Sequence, residues 1–169
     1  YMRVLLLMEK GRNFANIDRR VIDPGGDGQN LQQFMSDSTW AAQPPIQQVQ
    51  QEIASTPGLA QGGVLLLDES AEEKAGEKSA GAGRQYNGRL GKVEMSQVGV
   101  FLAFYKAPVW TWVDGELYLP KHWFTPEMSA ERKRVGVPAE REFATKIELG
   151  WRMIQRAKAS FEAVACDDL

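Results

Sequence analysis

The chain is poor in the residues that announce chemistry most loudly: it has one cysteine and one histidine in 169 residues, and no excess of either charge. A single cysteine can form neither an internal disulfide nor a cysteine-rich zinc site, so nothing calls for an oxidising compartment and the cytoplasm is the expected location. The longest apolar runs, Val4 to Met8 and Val98 to Phe104, fall far short of the ~20 residues that span a bilayer. The opening Tyr-Met-Arg leads into a short apolar run with no small-residue cleavage pattern, so no secretory signal is readable. The chain carries 20 Lys and Arg against 22 Asp and Glu, and no segment forms a basic block. That disfavours a free-standing nucleic-acid binder living on phosphate neutralisation, and any DNA contact must rest on a local site. What is present is ordinary for a globular protein, 43% hydrophobic and 25% charged. It suffices for one domain with a core, with or without a small appendage.

The first sixty residues read as helical. Phe14, Ile17 and Val21 share one face behind an Asn13 cap, and Asp23-Pro24-Gly25-Gly26 stops them. Asp27 caps a second helix bearing Leu31, Phe34 and Met35, and Pro44-Pro45 opens a third, with Ile46, Val49 and Ile53, that ends at Thr56-Pro57-Gly58. Three short helices with a Gly-rich turn fit a DNA-reading helix-turn-helix or a helical cap. The absence of Lys and Arg from Gln29 to Met35 favours the cap.

From Gly62 the texture turns to strands. Val64-Leu65-Leu66-Leu67, ending in Asp68-Glu69, has the look of a strand buried on both faces. A small, charged loop over 71–83 is expected to be mobile. Turn signals at Asn87-Gly88 and Leu90-Gly91 sit between two further strands, Gln97 to Tyr105 is the clearest strand, and Val109 to Leu119 reads as a strand or hairpin broken at Asp114-Gly115. Thr125-Pro126 opens a short helix closed by Gly136 and Pro138. Thr145-Lys146-Ile147-Glu148 is a capping box for a helix whose apolar face is Ile147, Trp151, Ile154, Ala157 and Phe161. Glu162 to Leu169 reads as a closing strand that ends in acids. A division at residue 60 follows, with a helical segment over 1–60 and an α/β domain with a mixed α+β sheet over 61–169.

If the strands before Asp68 and Asp167 are parallel neighbours joined through the hairpin and helix between them, their ends bring two carboxylates together, where open α/β sheets place their sites. Such carboxylates repel unless a divalent cation lies between them, and hard oxygen ligands favour Mg²⁺ or Mn²⁺. A carboxylate cluster holding two such ions suits in-line phosphodiester attack. Acids also end strands merely to meet water, and alternation lets at most one of Asp68 and Glu69, and one of Asp167 and Asp168, face a shared site.

An ordered series of segments carries a resemblance. Leu67-Asp68-Glu69-Ser70, Lys74-Ala75-Gly76-Glu77-Lys78-Ser79, Arg84 to Val93, Ser96 to Leu102, Asp114 to Pro120, Trp123, Arg134-Val135-Gly136-Val137-Pro138 and Phe143-Ala144-Thr145-Lys146 together resemble the DDE endonuclease of bacterial insertion-sequence transposases, of the group called insertion sequence seven-oh-one. Leu31 to Trp40 resembles that family's N-terminal helical segment. The resemblance implies a partial RNase H-like fold preceded by a small helical segment, and a transposase that cuts and joins DNA strands. It puts the first catalytic, metal-binding acid on Asp68 and the second on Asp167, with Cys166 as a small core residue. The family's third acid, a Glu on a later helix, has no counterpart in the chain, so a truncated member, inactive alone, is the expectation. The alternative is a catalytically dead remnant acting as a DNA-binding or transposase-interacting module. Two Mg²⁺ (or Mn²⁺) ions, DNA, a homo-oligomer and a nucleoid-associated bacterial cytoplasm complete the implied setting, with no membrane. Lys74, Lys78, Arg84 and Lys92 are the candidate phosphate contacts. His122, in a Pro-Lys-His-Trp turn, is expected to be exposed rather than catalytic, and Trp110, Trp112, Trp123 and Trp151 to be core although they could stack on bases.

Overall fold

In a computed structural model of the protein the described residues are 11, 13–37, 41–59 and 61–167, the side chains of Val21 and of 162–167 excepted. They form two compact units, Tyr1–Ala42 and Gln43–Leu169.

In the first unit, α1 (Phe14–Val21) begins where the Asn13 side chain accepts the Asn16 N–H at 2.8 Å, satisfying a donor that a helix start leaves open. α2 (Gln29–Asp37) begins beside Asp27, whose carboxylate accepts the Gln29 N–H at 2.9 Å. Buried Ile17 and Leu31 hold the two helices together, with Phe14 packed against them. Gly28 has φ +82°, and a Cβ there would lie 2.4 Å from the Ala15 nitrogen. Only glycine lets the turn press this closely on α1, where the Gly28 N–H donates to the buried Asp18 carboxylate at 3.0 Å.

The second unit starts with α3 (Gln43–Ser55) and continues with β1 (Val64–Glu73), β2 (Gly83–Asn87), β3 (Lys92–Lys106) and β4 (Val109–Tyr118). Two 3-10 turns (Lys121–Phe124 and Pro126–Met128), α4 (Ser129–Arg134) and α5 (Lys146–Asp167) follow. The long β3 is central. It pairs antiparallel with β1 on one side and with β2 and then β4 on the other. The expected capping box opens α5: the Thr145 N–H and hydroxyl both donate to the Glu148 carboxylate, and the Glu148 N–H donates to the Thr145 hydroxyl oxygen. Leu149, Met153 and Ala157 of α5 pack on Val100, Leu102 and Phe104 of β3, with Ile53 and Val113 completing the core. This mixed α+β arrangement of helices on a four-stranded antiparallel sheet agrees with a partial RNase H-like fold.

Several expectations need correction. β1 is not buried on both faces: Val64, Leu66 and Leu67 are 52%, 53% and 44% exposed, because β1 is an edge strand whose outer side has no partner among the described residues. No parallel pair occurs among the described strands, and the residues from Glu162 through Asp167 continue α5 instead of forming a strand. Glu162-Ala163-Val164-Ala165 contains no Gly or Pro to stop a helix, and alanine is its best former. The buried stripe of α5 is Leu149, Met153 and Ala157, while Ile147 and Trp151 are 83% and 60% exposed. Gly150 explains that rotation: a Cβ there would sit 2.4 Å from Leu67, so the helix turns this side onto β1. Trp123 is fully buried, donating from Nε1 to the Ala82 carbonyl at 2.8 Å, but Trp110 and Trp112 join Trp151 outside. Finally, β4 is one unbroken strand, and α3 packs with the sheet in the unit that begins at Gln43.

Candidate active site

Three contacts set the facing of β1. Leu65 packs on the core, Leu67 lies against Gly150, and Glu69 pairs with Lys146 of α5 at 2.5 Å. Alternation therefore directs Asp68, Ser70 and Glu72 to the opposite face. Asp68 stands in register with Phe101 of β3 and is exposed; its Oδ1 accepts the Glu69 N–H at 2.8 Å. Beside it a cavity of about 490 Å³ opens among Ser70, Glu72, Gln97, Phe101 and Trp112. Phe101 and Trp112 have ring centroids 5.3 Å apart, and Trp110 continues the row at 6.2 Å from Trp112.

Asp167 is the last residue of α5; its side chain and the whole of Asp168 lie outside the described residues. The helix runs from Lys146, beside Glu69, to Phe161, whose ring meets Phe104 with centroids 6.4 Å apart. Phe104 is in register with Leu65, so α5 runs antiparallel to β1. At 1.5 Å per residue it carries the Asp167 backbone roughly 30 Å from Lys146. Among the described residues no group of three or more His, Cys, Asp or Glu could hold a metal ion. Asp68 offers the exposed hard oxygen that Mg²⁺ or Mn²⁺ takes, but the described donor set does not by itself fit a two-metal site.

The four candidate phosphate contacts are unlike one another. Lys74 and Arg84 flank Met95 from opposite sides, since the Lys74 N–H donates to the Met95 carbonyl at 2.9 Å and Arg84 is in register with Met95. Two strand spacings put their backbones about 10 Å apart. Lys78 is tied to α4 through its carbonyl, which accepts from Arg134 at 2.9 Å. Lys92 is paired with Glu94 at 3.0 Å, leaving it less charge to offer. The Met95 N–H is the main reason the Glu94 carboxyl sits below its usual range, followed by Lys92. His122 is exposed, as expected, and its ring covers Gly83, where a Cβ would meet Cε1 at 2.8 Å.

An ion network behind the aromatic row has no counterpart in the sequence reading. Arg156 of α5 donates to Asp114 at 2.8 Å and to Glu116 at 2.6 Å, and Arg141 donates to Glu116 at 2.6 Å. The Asp114 side chain is fully buried. Burial alone would raise the Glu116 carboxyl, but the hydrogen bonds and charges of Arg141 and Arg156 outweigh it and hold the group below its usual value. The same balance holds Arg156 above its own: burial opposes its charge, and Asp114 and Glu116 overcome that. No local pattern could have shown this, because Asp114 and Arg156 are 42 residues apart.

No helix among the described residues is long and apolar enough to cross a membrane. No curated protein and no solved structure matches the chain. The family described as DDE superfamily endonuclease matches residues 1–166.

Proposed function

The chain belongs to the DDE superfamily endonucleases, and from that premise we propose that it is part of an insertion-sequence transposase, cutting DNA strands at transposon ends and joining them to a target. The observation that carries the reading is Asp68, an exposed carboxylate beside an open cavity on a strand whose outer edge has no partner among the described residues. In this reading Asp68 and Asp167 are two of three acidic ligands for a pair of Mg²⁺ or Mn²⁺ ions. Lys74, Lys78 and Arg84 hold the DNA backbone, with Lys92 weaker because of Glu94. The same open edge and the exposed aromatic row favour self-association.

A second reading, a catalytically dead remnant that binds DNA or a full-length transposase, is favoured by the helical state of residues 162–167 and by the lack of a described partner for Asp68 in metal binding. Calorimetric titration with Mn²⁺ separates the two. Under the first reading the chain binds weakly, and binding vanishes in both Asp68→Asn and Asp167→Asn. Tight binding unchanged in both variants would put the metal elsewhere. A plasmid-nicking assay with Mg²⁺ is expected to leave the DNA intact. Nicking abolished by Asp68→Asn would mean that the third ligand lies within these 169 residues.

A further inference from the structure

α4 ends in three consecutive cations that the structure employs differently. Arg134 pairs with Glu131 and donates to the Lys78 carbonyl, fastening the β1–β2 loop to α4. Arg132 lies with its guanidinium carbon 5.3 Å from the Phe124 ring centroid, and that ring is edge-on to Phe143. Its Nε–H is buried and has no hydrogen-bond acceptor. Among the described residues neither Arg132 nor Lys133 is paired with a carboxylate. Both line an open cleft of about 810 Å³ that also borders the turn at Gly136. The one acid in its lining, Glu127, has its carboxyl held below its usual range, chiefly by its own N–H and then by the Thr125 hydroxyl.

A guanidinium in the cleft lining with no carboxylate partner among the described residues suits an anion. The Lys133 side chain lines the same cleft, and the Lys78 backbone is tied to the neighbouring Arg134. We infer that Arg132 and Lys133 hold the phosphate backbone of duplex DNA at a contact separate from Asp68. This rests on the endonuclease reading above. β1 continues five residues beyond Asp68 to Glu73 before the Lys78 loop begins. That is about 17 Å of strand, so the phosphates held here flank the one attacked.

The test is fluorescence anisotropy of the 169-residue chain with a labelled duplex of arbitrary sequence, over a salt series. Each backbone phosphate adds ~0.9 to the steepness of log affinity against log salt. The Arg132→Gln/Lys133→Gln double variant is expected to flatten that slope by about two and weaken binding at low salt by tenfold or more. Lys133→Gln alone leaves the Arg132–Phe124 stack in place and should flatten the slope by about one, guarding against a misfolded double variant. Glu127→Gln removes the opposing charge and should tighten binding, which a purely structural role of α4 does not produce. Wild-type binding with slopes unchanged in the Arg132 and Lys133 variants overturns the inference and leaves the endonuclease reading standing. Absence of duplex binding by the wild type overturns both. Saturable binding of inorganic phosphate that displaces the duplex would make the cleft a small-anion pocket and overturn the DNA contact.

Discussion

Beneath α5, the β3 residues Val98, Val100, Leu102 and Phe104 are at most 3% exposed, whereas Val64, Leu66, Tyr105, Trp110 and Trp112 on the other face are 47–66% exposed. The same strands supply both faces, and the outer one is if anything richer in large apolar side chains. Apolar content therefore does not decide which face of this sheet is closed. Two features of α5 do: Gly150, which lets the helix approach Leu67, and Arg156, which reaches Asp114 and Glu116. The outer face has no such anchor among the described residues, and Asp68, Ser70 and Glu72 interrupt its apolar surface. Beside them the Trp110 and Trp112 rings remain open to solvent.

The comparison breaks most readily at the core. Leu149→Ala should lower unfolding free energy by about 3 kcal/mol, because a fully buried leucine leaves a cavity. Leu66→Ala, on the outer face, should stay within about 0.5 kcal/mol, as exposed positions do. Equilibrium denaturation of both variants checks this, and equal losses would mean that the outer face is covered in solution. Next comes the network. Arg156→Ala strands the buried Asp114 and should cost about 2–3 kcal/mol, short of the figure for a fully buried pair because the arginine side chain is 34% exposed. The pH dependence has a definite sign. Glu116 is held below the ordinary carboxyl value of 4.5, so the unfolded chain takes up its proton at higher pH than the folded one. The stabilisation is complete above the unfolded value and is lost as pH falls through the depressed folded value. Thermal melts over an acid series should show that limb flattened in Glu116→Gln. Smallest in stability but sharpest for the outer face is Trp110→Ser/Trp112→Ser. Its melt should shift by little, while light scattering should show less self-association; unchanged scattering would clear the aromatic row of that role.

Elements with local signals were legible. Asn13, Asp27, Pro44-Pro45 and the Thr145–Glu148 box mark helix starts by chemistry confined to one turn, and β3 shows its period along its own length. What failed depends on distant partners. Ile147 and Trp151 match the helical period as well as Leu149 and Met153 do, and only the approach of Gly150 to Leu67 chooses between them. Asp114-Gly115 looks like a turn, but Gly115 is there because a Cβ would meet the Phe101 ring at 3.0 Å. Within the candidate site, the strand leading into Asp68 was readable from the run before it, but its continuation to Glu73, which puts Asp68 in mid-strand and not at the end, was not. The distance of Asp68 from Asp167 was not either, because alternation and period say nothing about which edge a late segment joins.

The β3–β4 ladder skips a residue, Ala103 facing Trp112 and Leu102 facing Asp114, so Val113 is left over. Its carbonyl accepts from Gln50 Nε2 at 2.8 Å, and Gln50 Oε1 accepts from the Ser160 hydroxyl at 2.6 Å. Gln50 and Ser160 are 110 residues apart. During synthesis α1 and α2 find their partners within a few tens of residues, but α3 waits for Ser160, 110 residues beyond Gln50. At ~5–20 residues per second that delay is on the order of five to twenty seconds. Through it, Ile53 and the Gln50 amide have no finished site to enter.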